Sequence, residues 1–344
     1  MYKEQVKQVT QTNLDEPSRC EERRQLQNRG KNLIPIRKTD VTIKESINSA
    51  LWKDQVLRAL DYYGIDVHVK NGVVSLNGHI VSTTSQSRII NAIQSIPGIL
   101  EIKNNLVLDD ELARKVAGSL GKLEHTFNCK FFTGVSHGAV VLHGEVNSVD
   151  VRLSAERCAA SHPKVRGVIN SIRVTGVDLG IQDYRLVQPP IGKEMSFLDG
   201  ISGIVRQVVI NPDNRRVVAI TIQGHFSESR RNLTLSNISA HQFAEQLLVI
   251  PASVIGYVTK NSGFLTIQST DSTKYQEFDA SLFTDPNIDW TPPYPYCPED
   301  VLFPIAYQQV YKKIENVSNQ VSPRPKTEMQ KMSEELLYND SLGG

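Results

Sequence analysis

The side chains best able to do chemistry are few, and their spacing limits what they can do. Cys158 and His162 stand four apart, so on a helix the thiol and the imidazole share a face and could hold a metal ion. His79 and His143 sit in alternating stretches, on the side that alternation turns away from the apolar face. An imidazole there reads as an exposed side chain that could sense pH or meet a ligand. Arg152, Arg157, Lys164 and Arg166 fall close together. On one exposed rim they would attract an anionic surface, each contributing about 1 kcal/mol beside an acidic leaflet. The motifs of familiar catalysis are missing: there is no G-x-S-x-G, P-loop, H-E-x-x-H or EF-hand loop. "LDGISG", from Leu198 to Gly203, lacks the lysine and spacing of a phosphate cradle and reads as a turn between strands. Cys20, Cys129, Cys158 and Cys297 make no C-x-x-C pair, so free thiols in a reducing compartment are expected. Asn232 and Asn237 head formal glycosylation sequons, read as coincidence without a secretory signal. No metal or other cofactor is expected.

A repeat governs how these residues are positioned. "GVVSLNGHI", Gly72 to Ile80, returns 66 residues later as "GAVVLHGEV", Gly138 to Val146. Residues 72–107 align on 138–173 without a gap, with Gly72/Gly138, Gly78/Gly144, Pro97/Pro163 and Asn104/Asn170 among eight identities. Glycine, proline and alternate apolar positions recurring at one offset indicate two copies of one module. In the first copy Leu51, Val56, Leu57 and Leu60 make a helical stripe. Asn71-Gly72 is a hairpin turn, because both of its positions need positive φ. Val74, Leu76 and Ile80 share a strand face with Gly78, whose missing Cβ is expected to let the following helix approach. Ser82 caps that helix, Ile89, Ile93 and Ile96 face the core, and Pro97-Gly98 ends it. Each module is therefore α-β-β-α-β. In the second copy Val151, Ala155, Cys158 and Ala159 form the apolar stripe. Cys158 aligns with Ala92 and His162 with Ile96, so core packing is the reading preferred to a metal pair. Arg152 and Arg157 then point away from the stripe, and Lys164 and Arg166 follow beyond Pro163.

The pattern G-x-V-x-L-x-G-x-[IV], then a helix, P-x-[IV] and an Asn-bearing strand resembles the BON domain. It is carried here by Gly72, Val74, Leu76, Gly78, Ile80, Pro97, Ile99 and Asn104 and by their partners 66 residues on. One departure is Lys164, where a glycine is usual. The resemblance implies non-catalytic modules that bind phospholipid or membrane surfaces.

After Pro189-Pro190 the texture changes. "GISGIVRQVVINPDNRRVVAITIQ" reads as two alternating strands around Asn211–Asn214, and "LLVIPASVIGYVTKNSGFLTIQ" as two short ones around Asn261-Ser262-Gly263. Close turns between short strands suggest a small barrel. Gly192-Lys193, Asp199-Gly200, Gly203-x-Val205 and Ile250-Pro251-x-x-x-Ile255 resemble the PRC-barrel, which implies a protein-docking module. The two resemblances together describe a bacterial BON/PRC-barrel protein. Farther on, "DWTPPYPYCPEDVLFP" is dense in proline and aromatics. Trp290, Tyr294, Tyr296 and Phe303 are expected to lie on the barrel or on a neighbouring subunit.

The expected organisation is thus α+β: two α-β-β-α-β sandwich modules followed by a small β-barrel. Residues 1–43 form a disordered or extended segment, 44–110 and 111–176 the two modules, and 177–188 a linker. Residues 189–270 form the barrel and 271–344 a Pro/aromatic acidic tail. Net charge is +1, yet residues 271–344 carry six Lys/Arg against twelve Asp/Glu, while residues 111–175 carry nine against five. The second module is therefore the expected contact for an anionic surface. No aromatic platform accompanies its basic residues, which argues against nucleic acid. The N-terminal stretch has no apolar signal region and no segment is long and apolar enough to span a bilayer, so a cytoplasmic protein, peripheral at the membrane, is expected. These features describe a non-enzymatic adaptor with a protein partner at the barrel, an anionic surface at the BON-like modules and scope for homo-oligomers. The alternatives are a nucleic-acid-associated basic module, or a hydrolase assembled from unlinked Asp and His residues.

Overall fold

The computed structural model describes residues 9–10, 38–179, 185–226 and 245–305. Cys20, the two sequons and most of the acidic tail lie outside the described residues. The chain divides into two units. The first comprises residues 1–186, 210–216 and 285–301; the second comprises 187–209, 217–284 and 302–344.

In the first unit, helix α1 runs over Lys38–Lys53, starting ahead of residue 44. Ile43, Ile47 and Leu51, at four-residue steps, make its buried stripe. Asp54 then interrupts the helix and caps α2, Gln55–Leu60, accepting hydrogen bonds from the N–H groups of Val56 and Leu57 at 2.9 and 3.1 Å. This break resets the helical phase. Of the expected stripe, Leu51 and Leu57 are buried, whereas Val56 and Leu60 are exposed.

The rest of the first copy is β2 (Ile65–Lys70), β3 (Val73–Ile80), α3 (Thr83–Ile93) and β4 (Glu101–Leu108). The second copy follows at once: α4 (Asp109–Phe127), β5 (Lys130–Ser136), β6 (Ala139–Val146), α5 (Val149–Ala160) and β7 (Gly167–Val174). In each, an antiparallel hairpin leads through a helix to a third strand paired parallel to the second. The first sheet also receives a short strand, β1 (Val9–Thr10), parallel to β4. Ser82 and Ser148 cap α3 and α5 as repeated features, accepting from Ser85 and Val151. Two apolar cores result, one around Ile47, Leu76, Ile89 and Ile102, the other around Val116, Leu142, Ala155 and Ile172.

The repeated glycines hold two kinds of position. The Asn71-Gly72 turn is as expected, with φ of 52° and 78°, and His137 and Gly138 take its place in the second copy with 48° and 78°. Gly78 and Gly144 serve a different purpose from the expected helix approach. A Cβ on Gly78 would lie 2.0 Å from the Gly64 carbonyl oxygen, and one on Gly144 would lie 2.5 Å from that of Lys130. The close neighbour is the backbone of the entering strand, and φ values of +114° and +150° add a conformation that L side chains avoid.

The second unit is built on one eight-stranded half-barrel sheet. Its strands are β8 (Glu194–Ser196), β9 (Ser202–Asn211), β10 (Arg216–Gly224), β11 (Gln246–Pro251), β12 (Ile255–Val258) and β13 (Ser262–Leu265). They run in the order β11-β10-β9-β8-β13-β12, with β14 (Phe283–Thr284) and β15 (Val301–Pro304) joining beside β9. Val209, Ala219, Val249, Phe283 and Leu302 form a compact apolar cluster within it. The described residues are thus of mixed α+β class, with the α-helices confined to the first unit.

Candidate functional site

The polar side chains of the first unit converge where the two repeats meet. β4 runs into α4 without a linker, so the two modules are held close by the chain itself. Asp109, the first residue of α4, accepts from the N–H groups of His137 and Gly138 at 2.5 and 2.9 Å. Asp40 in α1 does the same for Asn71 and Gly72 at 2.9 and 3.0 Å. A carboxylate thus satisfies both donors of a positive-φ turn in each repeat. The gap-free alignment at 66 hides this pair, because Asp40 and Asp109 stand 69 apart and the first copy spends the difference on its broken helix. Burial raises the Asp109 carboxyl above its ordinary value. The turn N–H groups of Gly138 and His137 oppose that shift, as do the nearby His137 and Arg166 charges.

The turn at His137-Gly138 packs against the first repeat. Gly64 and Gly138 each leave room for an imidazole: a Cβ on Gly64 would lie 2.6 Å from His137 Nδ1, and one on Gly138 would lie 2.6 Å from His79 Nε2. His79 does point away from its helices, as the alternation requires, but it is 2% exposed. Its Nε2 lies 2.9 Å from the Lys164 carbonyl oxygen, an acceptor, so Nε2 carries the proton. Burial, reinforced by the Arg166 charge, pushes its pKa down to about 3, so the ring is neutral at pH 7. His143 is exposed, as expected.

Arg166 occupies the centre of this junction. Its Nη1 donates to the His137 carbonyl at 2.9 Å and its Nε to the Tyr294 carbonyl at 3.1 Å, with the guanidinium 5.5 Å from the Tyr294 ring. Burial lowers its pKa, opposed by Tyr294, Tyr296, Asp66 and Asp109. Tyr294 also donates its hydroxyl to Asp66 and sets its ring edge-on to His79. The aromatic segment, expected on the barrel or on a neighbouring subunit, belongs in part to the first unit: residues 285–301 count with it, and Tyr294 touches both repeats. Arg215, from the hairpin tip that counts with this unit, reinforces the segment. It is 3% exposed and has φ of 60°. Its guanidinium donates to the carbonyls of Val165 and Thr291 at 2.7 and 2.6 Å and lies 4.9 Å from the Trp290 ring. Local patterning gave no sign of this role, since an arginine in a turn is usually solvated.

The expected cationic rim is not assembled. Arg157 is exposed, Lys164 and Arg166 are half-buried, and Arg152 is 8% exposed. Arg152 donates to the carbonyls of Ile172 and Asn170 at 3.1 and 2.9 Å. Asn170 returns bonds to the Arg152 carbonyl and to Glu156, at 3.1 and 2.7 Å. The physical reason lies in Ala155 and Ala159, which bring α5 so close to its sheet that the stem of Arg152 is covered and its head reaches the β7 backbone. The Cys158 thiol packs half-buried on the second core, and His162 Nε2 pairs with the Ser119 hydroxyl at 3.0 Å. Among the described residues no three His, Cys, Asp or Glu side chains cluster as a metal site. Cys129 and Cys158 are free thiols, but Cys297 is disulfide-bonded, contrary to the expectation of free thiols.

In the second unit "LDGISG" forms the expected turn: Phe197 N–H bonds to the Ile201 carbonyl at 2.7 Å and Gly200 N–H to that of Phe197 at 3.0 Å. It borders a cleft of about 390 Å³ lined by Glu194, Ser202, Gln223, His225 and Glu245.

Two duplicated α-β-β-α-β modules, with their reactive side chains bonded into the scaffold, define a tandem repeat protein. The BON domain family model matches residues 39–110 and 109–176, so the chain carries two BON domains. No curated protein matches the chain. Two solved structures of CdsD, a structural protein of the type III secretion system of Chlamydia trachomatis, align at 16% and 15% identity. They cover 39% and 38% of this chain with TM-scores of 0.33 and 0.31, a level that supports nothing about fold or role. The match spans 63% and 64% of those chains, less than two thirds of their length. Among the described residues no helix is long and apolar enough to cross a membrane.

Proposed function

We propose that this chain is a non-enzymatic adaptor, in which the tandem BON domains contact a surface and the half-barrel, similar in its sequence to a PRC-barrel, docks a protein. The observation that carries this reading is how the first unit uses its reactive groups. His79, Asp40, Asp109, Arg152, Arg166 and Arg215 are each bonded to backbone groups of the scaffold. Groups so committed rigidify a binding platform. The polar cleft beside Glu194 and Glu245 supports docking of a polar or basic protein segment at the half-barrel. At the BON domains an anionic surface would meet Arg157 first, with Lys164 beside the junction.

The experiment is cross-linking of full-length protein to its partners in native extract, followed by mapping of the linked lysines. Links from Lys193 or Lys260 support docking at the half-barrel; links confined to the BON domains would remove that part of the proposal. In parallel, anionic vesicles are co-sedimented with wild type and with Arg157→Gln/Lys164→Gln. Binding at low salt that the double variant loses supports surface contact, and equal binding by both removes it. A cytoplasmic protein, peripheral at the membrane, is the expectation from the sequence, whereas the disulfide at Cys297 favours an oxidising compartment. Thiol labelling of Cys297 in freshly lysed cells decides between the two.

A further inference from the structure

The junction between the repeats is heterologous: a face of the first BON domain receives the turn end of the second. The receiving face presents Asp66 and His79, and the inserting end presents His137, Gly138 and Arg166. Since the two domains share one architecture, each side of this junction has a counterpart on the other domain, and the residues there are exposed. The turn end of the first domain carries Leu100 where the second carries Arg166. The local geometry is the same: Leu100 N–H bonds to the Gly72 carbonyl at 2.9 Å, and Arg166 N–H to the Gly138 carbonyl at 2.9 Å. The receiving face of the second domain carries Phe132 where the first carries Asp66. Their registers also agree, Asp66 pairing with Asn77 and Phe132 with His143.

The chemistry at these matched positions is complementary in both cases. Inside the chain, Asp66 supports the charge of Arg166, so a carboxylate faces a guanidinium across the junction. At the unused ends the same two positions are a leucine 73% exposed and a phenylalanine 67% exposed. Large apolar side chains at that exposure are individually ordinary. Here they stand at the two counterpart positions of one existing junction, and neither residue covers the other within one copy.

We propose that a second copy of this chain covers them, Leu100 of one copy docking on Phe132 of the next and repeating head to tail the arrangement that joins the two BON domains. Such contacts are heterologous, so they either close into a ring or extend as a filament. The internal junction is sealed by charge and by Tyr294; the external one is apolar and opens or closes with protein concentration.

The test is sedimentation velocity of the full chain over a concentration series, with Leu100→Asp, Phe132→Asp, their equimolar mixture, and Ile288→Asp as a control at another apolar residue, 99% exposed. Wild type and Ile288→Asp should associate alike as concentration rises. Each junction variant should weaken association by about 10-fold to 100-fold in Kd, the loss for one buried apolar side chain. The mixture should form a dimer and stop, because one copy retains Phe132 and the other retains Leu100. Wild type that stays monomeric overturns the proposal, as does a mixture that fails to dimerise or an equal loss in Ile288→Asp. Both variants should melt with wild type; if either unfolds early, Leu100→Ser and Phe132→Ser replace them in the same series.

Discussion

Replacing Gly78 by alanine adds one methyl group, and the structure states what that methyl meets. The new Cβ would stand 2.0 Å from the carbonyl oxygen of Gly64, in a contact class where real Cβ atoms do not come closer than 3.0 Å. The entering backbone must therefore retreat by about 1 Å, and that backbone cannot rotate aside as a side chain would. Overpacking of this kind costs about 1–3 kcal/mol. The φ of +114° adds a second penalty for any L residue, of order 1–3 kcal/mol. Together Gly78→Ala should lose about 2–6 kcal/mol, a large share of the stability of a domain this size. Gly118 lies in α4 with open space around its Cβ position, so Gly118→Ala should stabilise by about 0.5–1 kcal/mol. The assay is urea denaturation of the full chain, followed by far-UV circular dichroism and by calorimetry to separate the transitions of the two units. If Gly78→Ala unfolds with wild type while Gly118→Ala behaves as stated, the strand does not approach at Gly64, and the account of the repeated glycines is wrong.

The buried, neutral His79 sets a pH dependence. Its folded pKa of about 3 lies below the ordinary imidazole value of 6.5, so the unfolded chain binds the proton first. Stability from this group is complete above pH 6.5 and is lost as the pH falls toward 3; His79→Gln should flatten that acid limb in melting curves from pH 7 to 4. Removing Arg215 leaves the Val165 and Thr291 carbonyls without their donor, so Arg215→Ala should destabilise by about 3 kcal/mol. In a Trp52→Phe background its Trp290 emission should shift red and become more quenchable; unchanged emission would show that the aromatic segment does not depend on this arginine. Asp40→Ala and Asp109→Ala each orphan two turn N–H groups and should cost about 2–4 kcal/mol in urea unfolding, with Asp40→Asn recovering part of the loss.

The duplicated module was legible in the sequence because its determinants are local. A positive-φ turn needs Asn-Gly or His-Gly, a helix start needs Ser82 or Ser148, and alternation places Val74, Leu76 and Ile80 on one face. The BON family match spans those same residues. What local patterning could not supply was the destination of long polar side chains and of segments distant in the chain. Arg152 looks solvent-facing until Ala155 and Ala159 draw its helix down onto β7. His79 does face outward from its own module, yet only the arrival of His137, Arg166 and Tyr294 makes that outward face an interior. Gly78 signals a close approach in either reading, but only the fold names Gly64, and not the following helix, as the neighbour. Secondary structure and module boundaries are set by interactions over a few residues, which a sequence displays directly. The junction is set by contacts between residues as far apart as Asp66 and Tyr294, and no periodicity records which outward face will meet another.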